Sequence, residues 1–232
     1  MRAKSTLLTS AGKKKAKTAD SGRRVTVRLT AAERRAQVLS KAYDFFAEYG
    51  LTAQTRALAE ACGVSQRLLY SLFPNKAALI QAVYESEIAG VFKAHWFVQL
   101  RDREQSVEQR LINFYKDYYD AVLTRRWLRL FLYASLAEVE IAPTYISALI
   151  THLLETVVQE ACHEAGLRPP SNKALQHEIG WILHGAVSHL AIRRHIYQGE
   201  TGLDKEKVMA LQIRSFLNGL PALLPAKTSQ AS

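Results

Sequence analysis

Between Thr55 and Lys76 the chain reads TRALAEACGVSQRLLYSLFPNK. Gln66, Arg67 and Tyr70 stand outside the apolar repeat of this stretch, and their side chains have a definite chemistry. A guanidinium can donate two parallel hydrogen bonds to guanine, and a primary amide can pair in the same bidentate way with adenine. Leu68 offers an apolar contact to a thymine methyl. The hydroxyls of Thr55 and Tyr70 and the ammonium of Lys76 suit phosphate oxygens, with Lys76 placed in the first turn of a following helix.

Such groups act only if the backbone presents them together. Thr55 has a side-chain oxygen suited to an N-cap, and Leu58, Ala59 and Cys62 then fall on one apolar face. Gly63 is the natural residue for a left-handed helix end. Val64 points back to the core and Ser65 can cap a second helix, along which Leu69, Leu72 and Phe73 recur at helical spacing. The small Ala59 lets the two helices approach closely. Two helices joined by a tight glycine turn form a helix-turn-helix pattern, whose second helix inserts its N-terminal residues into a major groove. The plainer reading is a helical hairpin of an unrelated bundle with Gln66 and Arg67 merely solvated.

The remainder reads as helices. Thr30 and Glu33 form a capping box for a helix with Val38, Leu39, Ala42, Phe45, Phe46 and Tyr49 on one face, ending at Gly50. A helix from Asn75 runs through Leu79, Val83, Ile88 and Phe92. Further helices are expected at 106–124, 126–138, 143–165, 173–198 and 204–220, with Pro143 opening one and breaks at 166–172 and 199–204. The fold class is all-α. The expected organisation is a disordered basic tail over 1–28, a helix-turn-helix domain over 29–75, a helical-bundle domain over 76–221, and a frayed tail over 222–232.

Of 232 residues, 48% are hydrophobic and only 6 are Pro, enough for a real core with few breakers. Cys62 and Cys162 have no ligand spacing around them and read as small buried residues of a reducing compartment. No apolar run reaches bilayer length, and no signal-type segment follows the basic start, so a cytoplasmic protein with no membrane partner is expected. The net charge is +10; residues 1–28 hold nine basic groups against Asp20, a net of +8, and the other 204 residues carry 22 basic and 20 acidic groups. Basic arms of this kind contact phosphates or the minor groove, or serve only solubility. G-x-S-x-G, phosphate-binding glycine loops and HExxH are absent from the sequence, so no enzyme, cofactor or metal is expected. His177 and His184 share a helix face with Trp181 but lack a third ligand to complete a metal set.

Residues 34–85 closely resemble the DNA-binding domain of TetR-family (AcrR-like) transcriptional regulators. The resemblance rests on the basic opening, Ala-x-x-Phe-Phe, Tyr49-Gly50-Leu51, Thr55, Leu58-Ala59, Cys62-Gly63-Val64-Ser65, Leu69-Tyr70, Phe73, Asn75-Lys76 and Leu79. It implies a homodimeric repressor that binds a palindromic double-stranded DNA operator and is released when a small effector enters the C-terminal domain. By family position Arg56, Gln66, Arg67 and Leu68 would face bases. Thr55, Tyr70 and Lys76 would face phosphates, and Ser65 and Ser71 complete the set. Many members carry Gly-Thr or Pro-Thr where Arg67-Leu68 stands here, and Leu72 replaces a frequent histidine, so the operator does not follow from better-known members.

The family's dimer elements would be the helices at 173–198 and 204–220, whose apolar faces include Ile179, Leu183, Val187, Leu190, Val208, Leu211 and Phe216. Aromatic groups gather between them and the first domain. His95, Trp96, Tyr115, Tyr118, Tyr119, Trp127, Phe131, Trp181 and His184 would line a pocket for a mainly apolar or aromatic effector, or simply build an aromatic core. Arg125, Arg126 and Arg129 would receive an anionic group or pair with Glu138 and Glu140. A second function class is a DNA-binding protein of the same fold with no small effector, governed by a protein partner or acting through its basic tail.

Overall fold

The computed structural model describes residues 29–137, 143–199 and 202–224. Ten α-helices account for most of them. The expected tail over 1–28, and the C-terminal end from 225 onward, lie outside the described residues.

The first helix, α1 (Ala31–Tyr49), starts where the capping box requires. The Thr30 hydroxyl accepts from the Glu33 N–H at 3.2 Å, and the Glu33 carboxylate accepts from the Thr30 N–H at 2.8 Å. Val38, Leu39, Ala42, Phe45 and Phe46 are buried, whereas Tyr49, expected on the same face, is 67% exposed and only leans its ring on Phe45. Then come α2 (Thr55–Cys62), α3 (Gln66–Leu72) and α4 (Lys76–Val83).

The helix expected to run unbroken to Phe92 does not. After Val83 the backbone widens into a π-helical turn over Tyr84–Ile88 and tightens into a 3₁₀ turn over Ala89–Val91; α5 (His95–Leu100) follows. The apolar spacing masked this break because it satisfies a helical period throughout. Gly90 is the local weak point, since glycine costs about 1 kcal/mol in a helix interior.

The body consists of α6 (Val107–Ala121), α7 (Arg125–Leu136), α8 (Pro143–Glu164), α9 (Lys173–His195) and α10 (Lys205–Leu223). Ser106, Thr124, Asn172 and Asp204 cap four of these with their side chains, as turn-favouring polar residues do. Helix α10 continues past Pro221, where the sequence suggests an end, because one missing N–H in the last turn leaves the Leu224-to-Leu220 bond intact. Helices α8 and α9 cross closely at Gly180, where a Cβ would lie 2.7 Å from that of Leu154.

A buried ion network fixes the turn before α6. Arg110, 1% exposed, donates to Glu160 at 2.9 Å, to Glu164 at 3.3 Å and to the Gln105 carbonyl at 3.1 Å. Arg103 donates twice to Glu160, at 3.0 and 2.9 Å. These bonds hold the Glu160 carboxyl below its ordinary range, Arg103 first and Arg110 after it. Buried charge is tolerated here because every member has partners. One continuous apolar core runs from α1 to α10.

Candidate nucleic-acid interface

The turn between α2 and α3 carries the geometry. Gly63 adopts φ +69°, ψ +32°, its N–H bonded to the Glu60 carbonyl at 2.9 Å, and the Val64 N–H reaches the Ala59 carbonyl at 3.0 Å. This paired closure ends a helix on a left-handed residue. Ser65 then caps α3 by accepting from the Leu68 N–H at 3.1 Å. Leu58, Ala59, Cys62, Leu69 and Phe73 are all buried, and Cys62 also points its thiol at the Val38 carbonyl.

Burying Leu69 decides which way α3 faces. Gln66, Arg67, Leu68, Tyr70 and Ser71 are exposed together on the opposite side, and Arg56 is exposed on α2. Ser71 spends its proton on the Leu68 carbonyl at 2.8 Å. Two residues sit differently from expectation. Thr55 is the first residue of α2 and half-buried; the cap position belongs to Gln54, which makes no side-chain cap bond. The Lys76 ammonium donates to the Ala53 carbonyl, tying the start of α4 to the loop before α2, and burial lowers its pKa. Asn75 caps α4 by accepting from the Ala78 N–H at 2.8 Å.

Behind this unit, α7 lies along α1 through three arginines. Arg125 pairs with Glu48 at 3.0 Å and Arg126 with Asp44 at 2.7 Å, the latter lying over the Tyr43 ring. Arg129 donates to the carbonyls of Ala47 and Glu48 and to the Tyr133 hydroxyl. The partners are therefore carboxylates and carbonyls of α1. The suggested Glu138 and Glu140 lie outside the described residues. Sequence spacing did not reveal this seam, because its partners are about eighty positions apart.

The expected aromatic pocket residues separate into groups. Trp96, Phe114, Tyr115, Tyr118 and His184 are buried and joined by ring contacts of 4.8–6.4 Å, with Trp181 extending the chain to the surface. Trp96 anchors its indole N–H on Asp117 at 2.6 Å and walls a cavity of about 200 Å³ between α5 and α8, with Phe92, Phe97, Leu149 and Leu153. Trp127 and Phe131 stack on each other at 4.9 Å, and Tyr119 lies against His195. His95 is turned to the surface, 3.6 Å from Asp117, and does not join the interior. Within the buried cluster the Tyr115 hydroxyl and His184 Nδ1 have no hydrogen-bond partner among the described residues, and burial pulls the His184 pKa down to about 4.

Along α9 and α10, Ile182, Leu211 and Leu223 are exposed around a groove of about 370 Å³ that also takes in Ala186 and Phe216. No helix among the described residues is long and apolar enough to cross a membrane.

Residues 38–83 match the model for bacterial regulatory proteins of the tetR family. No curated protein matches the chain. Among solved structures, the fold is similar to a TetR-like transcriptional regulator from Rhodococcus sp. RHA1, with 22% identity, TM-score 0.59, and 84% of this chain and 99% of that one covered. It is similar to the fatty acid degradation regulator FadR from Bacillus halodurans at 15% identity, TM-score 0.61, covering 83% and 98%. A tetR-family regulator from Streptomyces coelicolor aligns at 18% identity, TM-score 0.57, covering 84% of both chains.

Proposed function

We propose that this chain, a member of the TetR family of transcriptional regulators by its residues 38–83, is a homodimeric, cytoplasmic repressor that reads a palindromic operator and releases it when a small effector enters the C-terminal body. The observation that carries the reading is the exposed face of α3. With Leu69 buried and Gly63 setting the crossing, Gln66, Arg67, Leu68 and Tyr70 project side by side from a short, capped helix. Arg67 and Gln66 supply bidentate donors for base edges, Leu68 an apolar contact, and Tyr70 and Arg56 contacts at the margins. Ser65 and Ser71 hold the helix in shape, and Lys76 fixes α4 against the loop at Ala53.

On this reading the chain divides into a DNA-binding unit over 29–75 and an effector and dimerisation unit over 76–221. A second copy of the chain is the natural cover for the exposed apolar face of α9 and α10, giving a two-fold dimer. Two recognition helices then read half-sites about one helical turn apart. Effector binding is supported by the aromatic interior with its unpartnered Tyr115 hydroxyl and His184 nitrogen. A ligand placed there shifts the DNA equilibrium only by binding one conformer better than the other, and the coupling is reciprocal.

Selection from random duplex DNA with full-length protein at near-physiological salt tests the proposal. A palindromic consensus is the expected result. Binding that enriches no sequence and fades as salt rises would overturn it in favour of charge-driven binding.

A further inference from the structure

An open cleft of about 580 Å³ lies where the end of α6, the start of α7, the end of α9 and the start of α10 meet. Tyr119, Asp120, Arg125, Arg194, His195 and Lys205 are on its wall. It is distinct from the aromatic interior around Tyr115 and His184, and its chemistry is different.

The cations are unevenly satisfied. Lys205 pairs with Asp120 and covers the Tyr119 ring at 5.2 Å. Arg125 shares its charge with Glu48. Among the described residues, Arg194 hydrogen-bonds from Nη2 to the Leu203 carbonyl, its buried Nε meets no acceptor, and no carboxylate pairs with it. Tyr119 is only 3% exposed and its hydroxyl also lacks a partner among the described residues. A buried charged donor without an acceptor costs stability unless something else accepts from it. Here one charged donor, Arg194 Nε, and one neutral donor, the Tyr119 hydroxyl, come from different helices beside one cleft, and the rings of Tyr119 and His195 lie 5.7 Å apart.

We propose that this cleft binds the phosphoryl group of a small organic phosphate, with Arg194 and Tyr119 as its principal donors and Arg125 and Lys205 supplying the surrounding positive charge. Donors that approach from several helices suit a tetrahedral oxyanion better than a planar carboxylate. An Arg fork matches phosphate oxygens bidentately. The half-buried His195 ring, backed by that of Tyr119, offers the organic part a flat aromatic face. Arg125 gives the site a mechanical reach, because an anion that draws it inward competes with Glu48 on α1.

Calorimetric titration of the full-length protein with inorganic phosphate and pyrophosphate, at ionic strength held constant with chloride, tests this. Saturable binding is expected, with acetate binding more weakly. Arg194→Met should weaken phosphate binding by about tenfold or more, as loss of a charge-assisted hydrogen bond implies. Arg193→Met, on the same helix but off the cleft wall, should bind like the native chain. Tyr119→Phe removes one oxygen without changing the packing and should weaken binding as well, which keeps the test sound if Arg194→Met does not fold. Absence of saturation, equal binding by acetate, or unchanged affinity in both Arg194→Met and Tyr119→Phe would overturn the assignment. No DNA is present in the measurement, so its outcome is independent of operator recognition.

Discussion

Arg129 donates from Nη2 to the carbonyl of Glu48 at 2.7 Å, so a side chain of α7 closes the C-terminal end of α1. Helix α1 has no basic residue in its own last turn. The partial negative charge of its final carbonyls is met instead by a guanidinium from α7, which also reaches the Ala47 carbonyl. Helices α1 and α7 are thus joined by hydrogen bonds from one guanidinium.

Arg129→Met should cost about 2–3 kcal/mol of unfolding free energy, since it strands two carbonyls beside an apolar group. Arg129→Lys should recover only part, because an ammonium cannot span both carbonyls as a fork does. Urea unfolding of the three proteins decides it. Equal midpoints would mean that the seam contributes nothing to stability.

Gly63→Ala tests the turn. At φ +69° an alanine meets about 1–2 kcal/mol of backbone strain, and its Cβ would sit 3.4 Å from the Lys41 amine. Lower stability should come with weaker operator binding, because the same dihedrals aim α3. Retained affinity with lowered stability would show that α3 is held by Leu69 and Phe73 rather than by the turn.

His184 gives a pH signature. Burial holds its pKa at about 4, so the folded protein keeps the ring neutral while the unfolded chain, with a value of 6.5, takes up a proton as pH falls. Stability on this account is full above the unfolded value, declines as pH drops from 6.5 toward 4, and levels below that. The total is of order 3 kcal/mol. The difference between native and His184→Leu midpoints, compared at about pH 7 and about pH 4.5, isolates this residue from the carboxylates, Glu160 among them, that also lose stability in acid. A pH-independent difference would mean that the ring is solvated in the folded state.

Local chemistry made much of this legible in the sequence. Thr30 with Glu33, Gly63 and Ser65 each act through neighbours within four residues, and the structure finds the capping box, the left-handed turn and the cap at those positions. Alternation of Leu69 with Arg67 and Tyr70 was enough to separate the buried from the exposed side of α3. What stayed hidden depends on distant partners or on backbone choices that keep the period. Arg125, Arg126 and Arg129 find α1, which spacing cannot show. The break after Val83 preserves a helical apolar pattern while changing the turn type. Lys76 looked like a free cation because its acceptor, Ala53, lies 23 positions back across the turn.

Base readout and backbone charge leave different traces, and two variants separate them. Arg67→Ala should relax preference at one base pair per half-site and cost roughly 1–3 kcal/mol there, with the salt dependence nearly unchanged if the side chain contacts only a base edge. Deleting residues 1–28 removes a net charge of +8 and should leave the preferred sequence intact while flattening the fall of log K with log salt, by about one unit for each phosphate that the tail neutralises. Fluorescence-anisotropy titrations over a salt series, on the selected operator and on a duplex altered at the Arg67 base pair, measure both at once. If Arg67→Ala weakens both duplexes equally and reduces the slope, Arg67 binds a phosphate, and readout must fall to Gln66 and Leu68. If the deletion leaves the slope unmoved, the tail neutralises no phosphate and electrostatic binding resides in the helix-turn-helix unit itself.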